Sequence, residues 1–425
     1  MKSEYIGLAF FTIYIANISS TASNALISIS AAVLLLYTIY DYKHNKRKFP
    51  LPGAEFQVPW WLFFGALLLD SLFLSDYESM TKAVEYVYLS LPCWLLLAFY
   101  YYHFQVKYFI GGVAAALIYV GVYSLYVFIF VNHMVPARVI TFAANLNGLG
   151  TLMAMSLPFV FLMVTVYYRK HRLGAAILLS SGCLGLMALI FTGSRGAMMG
   201  FTVGCLVLLV VKVLVFGVRK EAKQIFCGML ICCLVLGGFF GIFGKFHRGY
   251  DNQRQLFIES SIAMWRDHPV LGVGLTKWET AYYNQYKLPQ AFEKTIDMPH
   301  NTIALFFSTT GLVGGMSFLI FSFGIFLCLC KYMRRQPDNY LVQAMLWSFV
   351  AVSVHGMVDA GLSMRTALRL CSGYMGVTVA SVLYYERAKL AALKPERQEL
   401  QPEDYNKQRF YGLSLGHKPG RQDFR

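Results

Sequence analysis

The sequence predicts an all-α integral membrane protein of about twelve transmembrane helices with one large, partly helical outer loop. Three observations predict it. Of the 425 residues, 57% are hydrophobic and 14% are charged, with a mean hydropathy of +0.51, whereas soluble domains are roughly a quarter charged. The apolar residues fall in runs of roughly 17–25, enough for a helix to cross a bilayer core; barrel strands would alternate over roughly ten residues. Lys and Arg recur at alternate connections, the signature of inward-facing loops.

In order, the runs lie at 4–20, 24–41, 58–75, 83–102, 108–131, 145–168, 173–192, 196–217, 225–244, 301–330, 340–360 and 368–385. The first has no small-residue cleavage site after it, so it reads as a retained helix. Basic clusters occur at Lys43/Lys46/Arg47/Lys48, Arg169/Lys170/Arg172, Arg219/Lys220/Lys223 and Lys331/Arg334/Arg335, and again at Arg387, Lys389, Lys394 and Arg397. With the N-terminus inside, all of them fall on the cytoplasmic side. Residues 1–385 then form the transmembrane domain, 245–300 an outer loop within it, and 386–425 a polar cytoplasmic tail. The net charge of +15 is a topology signal and a contact with anionic lipid. The dispersal of the basic residues among short loops argues against nucleic acid.

All nine cysteines lie inside predicted helices, away from the outward loops where disulfides form. Cys232-Cys233 and Cys328-x-Cys330 lack zinc-site spacing, so they read as packing residues, and neither a metal nor a cofactor is expected.

The outer loop has the character of a folded segment. QRQLFIESSIAMWRDHP (253–269) predicts a short amphipathic helix, ended by Pro269 and followed by the glycine-rich turn VLGVG. TKWETAYYNQY is aromatic and polar, suited to the interface or to stacking on sugar rings. His268 reads as part of the turn. No internal repeat is apparent.

Arginines on the outward side run against the topology rule and need a reason. They are Arg138, Arg195, Arg254, Arg266, Arg365 and Arg369. A guanidinium grips phosphate oxygens with a planar fork of donors, so several converging on one cavity suit a pyrophosphate; singly, each can snorkel to headgroups. Arg195 sits in TGSRG between two apolar runs, with glycines that let backbone approach a ligand and a hydroxyl at Ser194. Asn145 and Asn147 could contact sugar or end a helix. His355 and Asp359, four apart on one helix face, could orient each other or a catalytic group, or share a structural hydrogen bond. Asp70 is similarly ambiguous.

The stretch PHNTIALFFSTTGLVGG places His300 and Asn301 at the outer mouth of the tenth run. Asn301 suits a helix cap and Gly311, Gly314 and Gly315 suit close packing. His300 has no such structural account, and an imidazole near neutral pH can act as a general base.

His-Asn, nine residues, then Gly-x-x-Gly resembles the outer-loop signature of bacterial O-antigen ligases, within the superfamily of O-antigen ligases and polymerases. Ser194-Arg195-Gly196, Arg254 and the HPVLGVG turn resemble further family elements. Where the family pattern has Arg-x-x-x-Leu, this chain has Arg254-Gln-Leu-Phe-Ile258. The resemblance implies a metal-independent, inverting membrane glycosyltransferase of GT-C-like helical architecture in the bacterial inner membrane. It would take a glycan from undecaprenyl pyrophosphate and attach it to a sugar hydroxyl of lipid A-core on the periplasmic face, in lipopolysaccharide biosynthesis. His300 would be the base, with Arg195, Arg254 and Arg138 on the pyrophosphate and Ser194, Asn301, His355 and Asp359 in support. The nearest alternative is an O-antigen or capsule polymerase with the same donor. A protein O-oligosaccharyltransferase fits less well, because those enzymes generally carry a larger C-terminal region, and a secondary transporter fits less well because the polar groups gather at the outer face rather than at the midplane.

Overall fold

A computed structural model describes residues 2–20, 23–131, 146–217, 249–293 and 295–399, and every regular element among them is helical. In chain order these are α1 (Lys2–Ser20), α2 (Asn24–His44), α3 (Ala54–Leu74), α4 (Tyr77–Tyr102), α5 (Val106–Tyr126), α6 (Leu146–Tyr168), α7 (Arg172–Phe191), α8 (Arg195–Phe216), α9 (Gly249–Asp267), α10 (Thr302–Arg335), α11 (Tyr340–His355) and α12 (Arg365–Glu399). Among the described residues, nine helices are long and apolar enough to cross a membrane, and α11 is a shorter apolar one. Of the twelve expected runs, 225–244 lies outside the described residues, as do Arg138, Asn145, the Arg219/Lys220/Lys223 cluster and residues 400–425. Each of the other runs corresponds to a helix.

Among the described residues, those up to Val382 form one compact unit and those from Leu383 another. α12 runs on past residue 386 to Glu399.

Polar residues start these helices. Asp76 accepts the Ser79 backbone N–H, Ser194 that of Ala197, Asn301 that of Ala304 and Asn339 that of Leu341, each satisfying an orphan donor of a first turn. Large apolar side chains such as Leu36, Phe73, Leu214 and Phe323 remain exposed on the helix faces, as a chain solvated by lipid requires.

The centre is α11. Its residues from Leu341 to Val352 are all buried, and it packs against α8, α6 and α10. The α8 face that meets it carries Gly196, Gly200 and Gly204, one every turn. A methyl group added at Gly200 would collide with the Ala351 carbonyl, and one at Gly204 would lie 2.6 Å from the Trp347 carbonyl oxygen. This small-residue stripe lets two backbones approach closely. Trp347 Nε1 donates to Phe201 O at 2.7 Å and Ser348 Oγ to Met155 O at 2.6 Å, tying α11 to both neighbours.

The segment 249–300 folds into a cap with its own small core of Phe257, Met264, Trp278, Tyr282, Tyr286, Ala291 and Ile296. Trp278 Nε1 donates to Ser261 Oγ at 2.9 Å, and Ser260 Oγ to Tyr286 O at 2.8 Å. The aromatic run expected to face the interface or a sugar is therefore corrected in part: Trp278, Tyr282 and Tyr286 hold the cap together from within.

The cap is joined to α10 at a break in that helix. Gly311 has φ 55 and ψ −148, close to a backbone region essentially reserved for glycine. The break leaves polar groups of the helix unpaired, and the turn after Pro269 supplies partners. Val273 N donates to Ser308 O at 3.0 Å and Gly274 N to Thr309 O at 2.9 Å; Leu312 N donates to Pro269 O at 2.8 Å and Val313 N to Val270 O at 3.3 Å. Gly311 was expected to aid close helix packing; it instead ends one helical segment and admits the HPVLGVG turn.

Candidate functional site

The polar cluster forms where three helix ends meet: the starts of α8 and α10 and the end of α11. His300 precedes α10 with φ 51, an uncommon conformation for a residue with a side chain. The residues after it are pinned. Asn301 accepts the Ala304 N–H at 2.9 Å and donates from Nδ2 to Met357 O at 2.8 Å. Thr302 N donates to Gly356 O at 2.7 Å, and its hydroxyl to Ala360 O at 2.6 Å. These bonds lock the His300 loop onto the loop 356–361.

That lock brings His300 Nδ1 to 3.2 Å from Asp359 Oδ1. A carboxylate only accepts, so the neutral imidazole carries its proton on Nδ1 and presents a lone pair at Nε2. The His300 side chain keeps 26% of its surface exposed while that of Asp359 keeps 6%, so the base is reachable and its partner is not. Burial opposes the Asp359 charge. The hydrogen bond from His300, the two imidazoles and the Ala360 N–H outweigh it and hold the carboxyl below the usual carboxylate range. Asp359 lies past the end of α11, so it does not share a helix face with His355 as expected; the turn at 356–358 carries it across to His300.

His355 is the last residue of α11 and is buried. Its Nε2 lies 3.9 Å from Asp359 Oδ2, an oxygen with no hydrogen bond, and its Nδ1 lies 2.6 Å from Thr151 Oγ1 on α6. Thr151 donates its own proton to Asn147 O at 2.8 Å, so it accepts from His355. On the other side stands Gly196 of the SRG turn: a methyl group there would lie 2.7 Å from His355 Cδ2. Ser194 is buried as the cap of α8, which makes it a builder of the helix start rather than an open donor.

Arg195 is the exposed first residue of α8, at the end where the helix dipole is positive. Arg254 lies on α9, close enough for its charge to act on His355. Phe257, one turn further along α9, has its ring 6.4 Å from that of His300. The structure thus brings His300, Asn301, Asp359, His355, Ser194, Arg195 and Arg254 to one end of the bundle. Arg365 pairs with Glu85, His268 closes the turn after α9 by accepting the Gly272 N–H, and Asp70 is buried on α3 with no hydrogen bond. Among the described residues, no group of three or more His, Cys, Asp or Glu side chains is placed to hold a metal.

Sequence reasoning missed Thr151 and the part played by Gly196. Both are ordinary residues in apolar helices, and only the meeting of α6, α8 and α11 gives them a role.

The cluster combines a partly exposed imidazole oriented by a buried carboxylate with two guanidinium groups and a helix start. It can take a proton and hold an anion at the same mouth. Residues 175–319, from α7 into α10, match a family model described as O-antigen ligase (Wzy_C). The match supports the O-antigen ligase superfamily suggested by the motifs. No curated protein matches this chain.

Proposed function

We propose that the chain is an O-antigen ligase that moves a glycan from undecaprenyl pyrophosphate to a sugar hydroxyl of lipid A-core at the periplasmic face of the inner membrane. The observation that carries this reading is the His300–Asp359 pair at 3.2 Å, with Arg195 and Arg254 at the same end of the bundle. In the proposed step, His300 Nε2 removes the proton of the acceptor hydroxyl as its oxygen forms a bond to the anomeric carbon. The bond from that carbon to the diphosphate breaks, and the diphosphate leaves with the electron pair. Attack from the opposite side inverts the anomeric centre.

Diphosphate is a good leaving group, so stabilising its charge matters more than protonating it. Arg195, Arg254 and the start of α8 supply positive charge. Arg138 is assigned to the same role on sequence grounds. Asp359 orients the imidazole and offsets the charge His300 acquires, while His355, held by Thr151, packs beside Asp359 Oδ2 without bonding it.

Transfer by the purified protein in vesicles, with a polyprenyl-diphosphate glycan as donor, tests the reading. Near-normal transfer by folded His300→Ala removes the base assignment; activity lost on chelation and restored only by Mg²⁺ or Mn²⁺ removes the metal-free step. Offering lipid A-core and a second lipid-linked glycan in parallel separates ligase from polymerase, since the product differs.

A further inference from the structure

A groove away from the proposed chemistry runs along α2. Of the apolar 18-residue stretch of α2 only 28% is buried, against 83% of that of α12, and a cavity of about 620 Å³ lies between α2 and α4. Ala31 and Ala32 hollow its α2 wall, and Leu91, Pro92, Leu95 and Ala98 line its α4 wall. Its ends differ from its length: Arg369 sits at one and Lys43 at the other.

Arg369 lies near the start of α12, at the His300 end of the bundle. Its Nη1 donates to the neutral Asn24 Oδ1 at 3.3 Å, and no carboxylate among the described residues pairs with it. Arg365, one turn earlier, pairs with Glu85. Arg369 is therefore a guanidinium oriented by an amide, its charge unmatched, at the head of an apolar groove. From Ile27 to Lys43 the α2 wall runs about 24 Å, most of the roughly 30 Å hydrocarbon core. A headgroup at Arg369 leaves the apolar wall below it for one extended acyl chain.

We propose that this groove holds one anionic glycerophospholipid of the leaflet on the His300 side, its phosphate on Arg369 and one acyl chain between α2 and α4. The cation favours a lipid with net negative charge, and the apolar walls favour a chain over a sugar. None of the groove residues belongs to the His300–Asp359–His355 cluster, so the site is separate from the one proposed to hold the diphosphate. The lipid completes the bundle where α2 stands off.

Native mass spectrometry of the full-length protein, given equal phosphatidylglycerol and phosphatidylcholine, tests this. One phosphatidylglycerol is expected to stay bound with about fivefold preference, the scale of one juxtamembrane cation. Arg369→Gln removes that preference, and Ala32→Phe, which fills the groove, removes the lipid. Equal binding of the two lipids, or a preference that survives Arg369→Gln, overturns the proposal. So does displacement of phosphatidylglycerol by undecaprenyl phosphate in an Arg369-dependent way, which would give the groove to the donor. Should Ala32→Phe fail to fold, brominated phosphatidylglycerol reads the same point in the native chain. It should quench more fluorescence than in Trp94→Phe, because Trp94 lines the groove; equal quenching overturns the assignment.

Discussion

Gly272 and Gly311 meet backbone to backbone, both at positive φ, and a methyl group added to either would collide with the main chain of the other's segment. The cap and the helix that follows His300 are joined by main chain alone at this point.

Gly311→Ala and Gly272→Ala should each destabilise the protein by roughly 1–3 kcal/mol from backbone strain, with a further cost from the collision. Gly65→Ala is the control, because a methyl group there meets nothing within 4 Å and favours helix. Thermal unfolding in detergent separates them: the first two fall, and Gly65→Ala stays level or rises.

Asp359→Asn should keep the shape of the His300 contact but lose the charge that fixes the imidazole. An amide can also donate, which favours the wrong tautomer. Transfer should fall by about 10²-fold or more, in the range of lost general-base catalysis, with melting little changed. A fall of less than threefold would count against the orienting role.

Gly196→Ala should push on His355, since the new methyl group lies 2.7 Å from Cδ2 and 2.6 Å from Val358 Cγ2. Overpacking of this kind costs roughly 1–3 kcal/mol. Gly200→Ala collides with the Ala351 carbonyl, on the same interface but a turn away. Comparing transfer rates at matched folded fraction distinguishes them: Gly196→Ala should lose more activity for its loss of stability.

The cap is also tied to the α3–α4 turn, where Lys277 pairs with Asp76 and Glu78. The Ser79 hydroxyl and backbone N–H bonds to Asp76, with help from Lys277, hold its carboxyl below the usual range. For a depressed pKa, stability is present above the unfolded value, about 3.9, and is lost as pH falls through the folded one. Hydrogen-exchange protection around Lys277 should therefore hold from neutral pH to about pH 4 and drop below it. Asp76→Asn should show weaker protection throughout and no acid step; an identical step in that variant would assign it to another group.

Helices and their order were legible because a spanning helix needs a long apolar run, and the runs are unbroken. The break at Gly311 was not, since Thr310-Gly311-Leu312 looks like helix until the turn at 269–274 is placed against it. Asn301 was legible as a cap and is one. The pair His300–Asp359 was only half legible: both residues stood out, but their contact depends on α11 stopping at His355. Thr151 carried no signal at all. Its hydroxyl matters because a helix packing on α6 ends in a histidine beside it.

The joint at Gly311 also bears on how such chains could exchange parts. Ser308 and Thr309 offer carbonyls, and Leu312 and Val313 offer amides, to a turn encoded well upstream. A graft of the cap from a relative, made without residues 302–313, keeps these four bonds only if its turn presents the same backbone to the Gly311 break. Cap and helix are one heritable unit, and a chimera that respects the apparent loop boundary would cut through it.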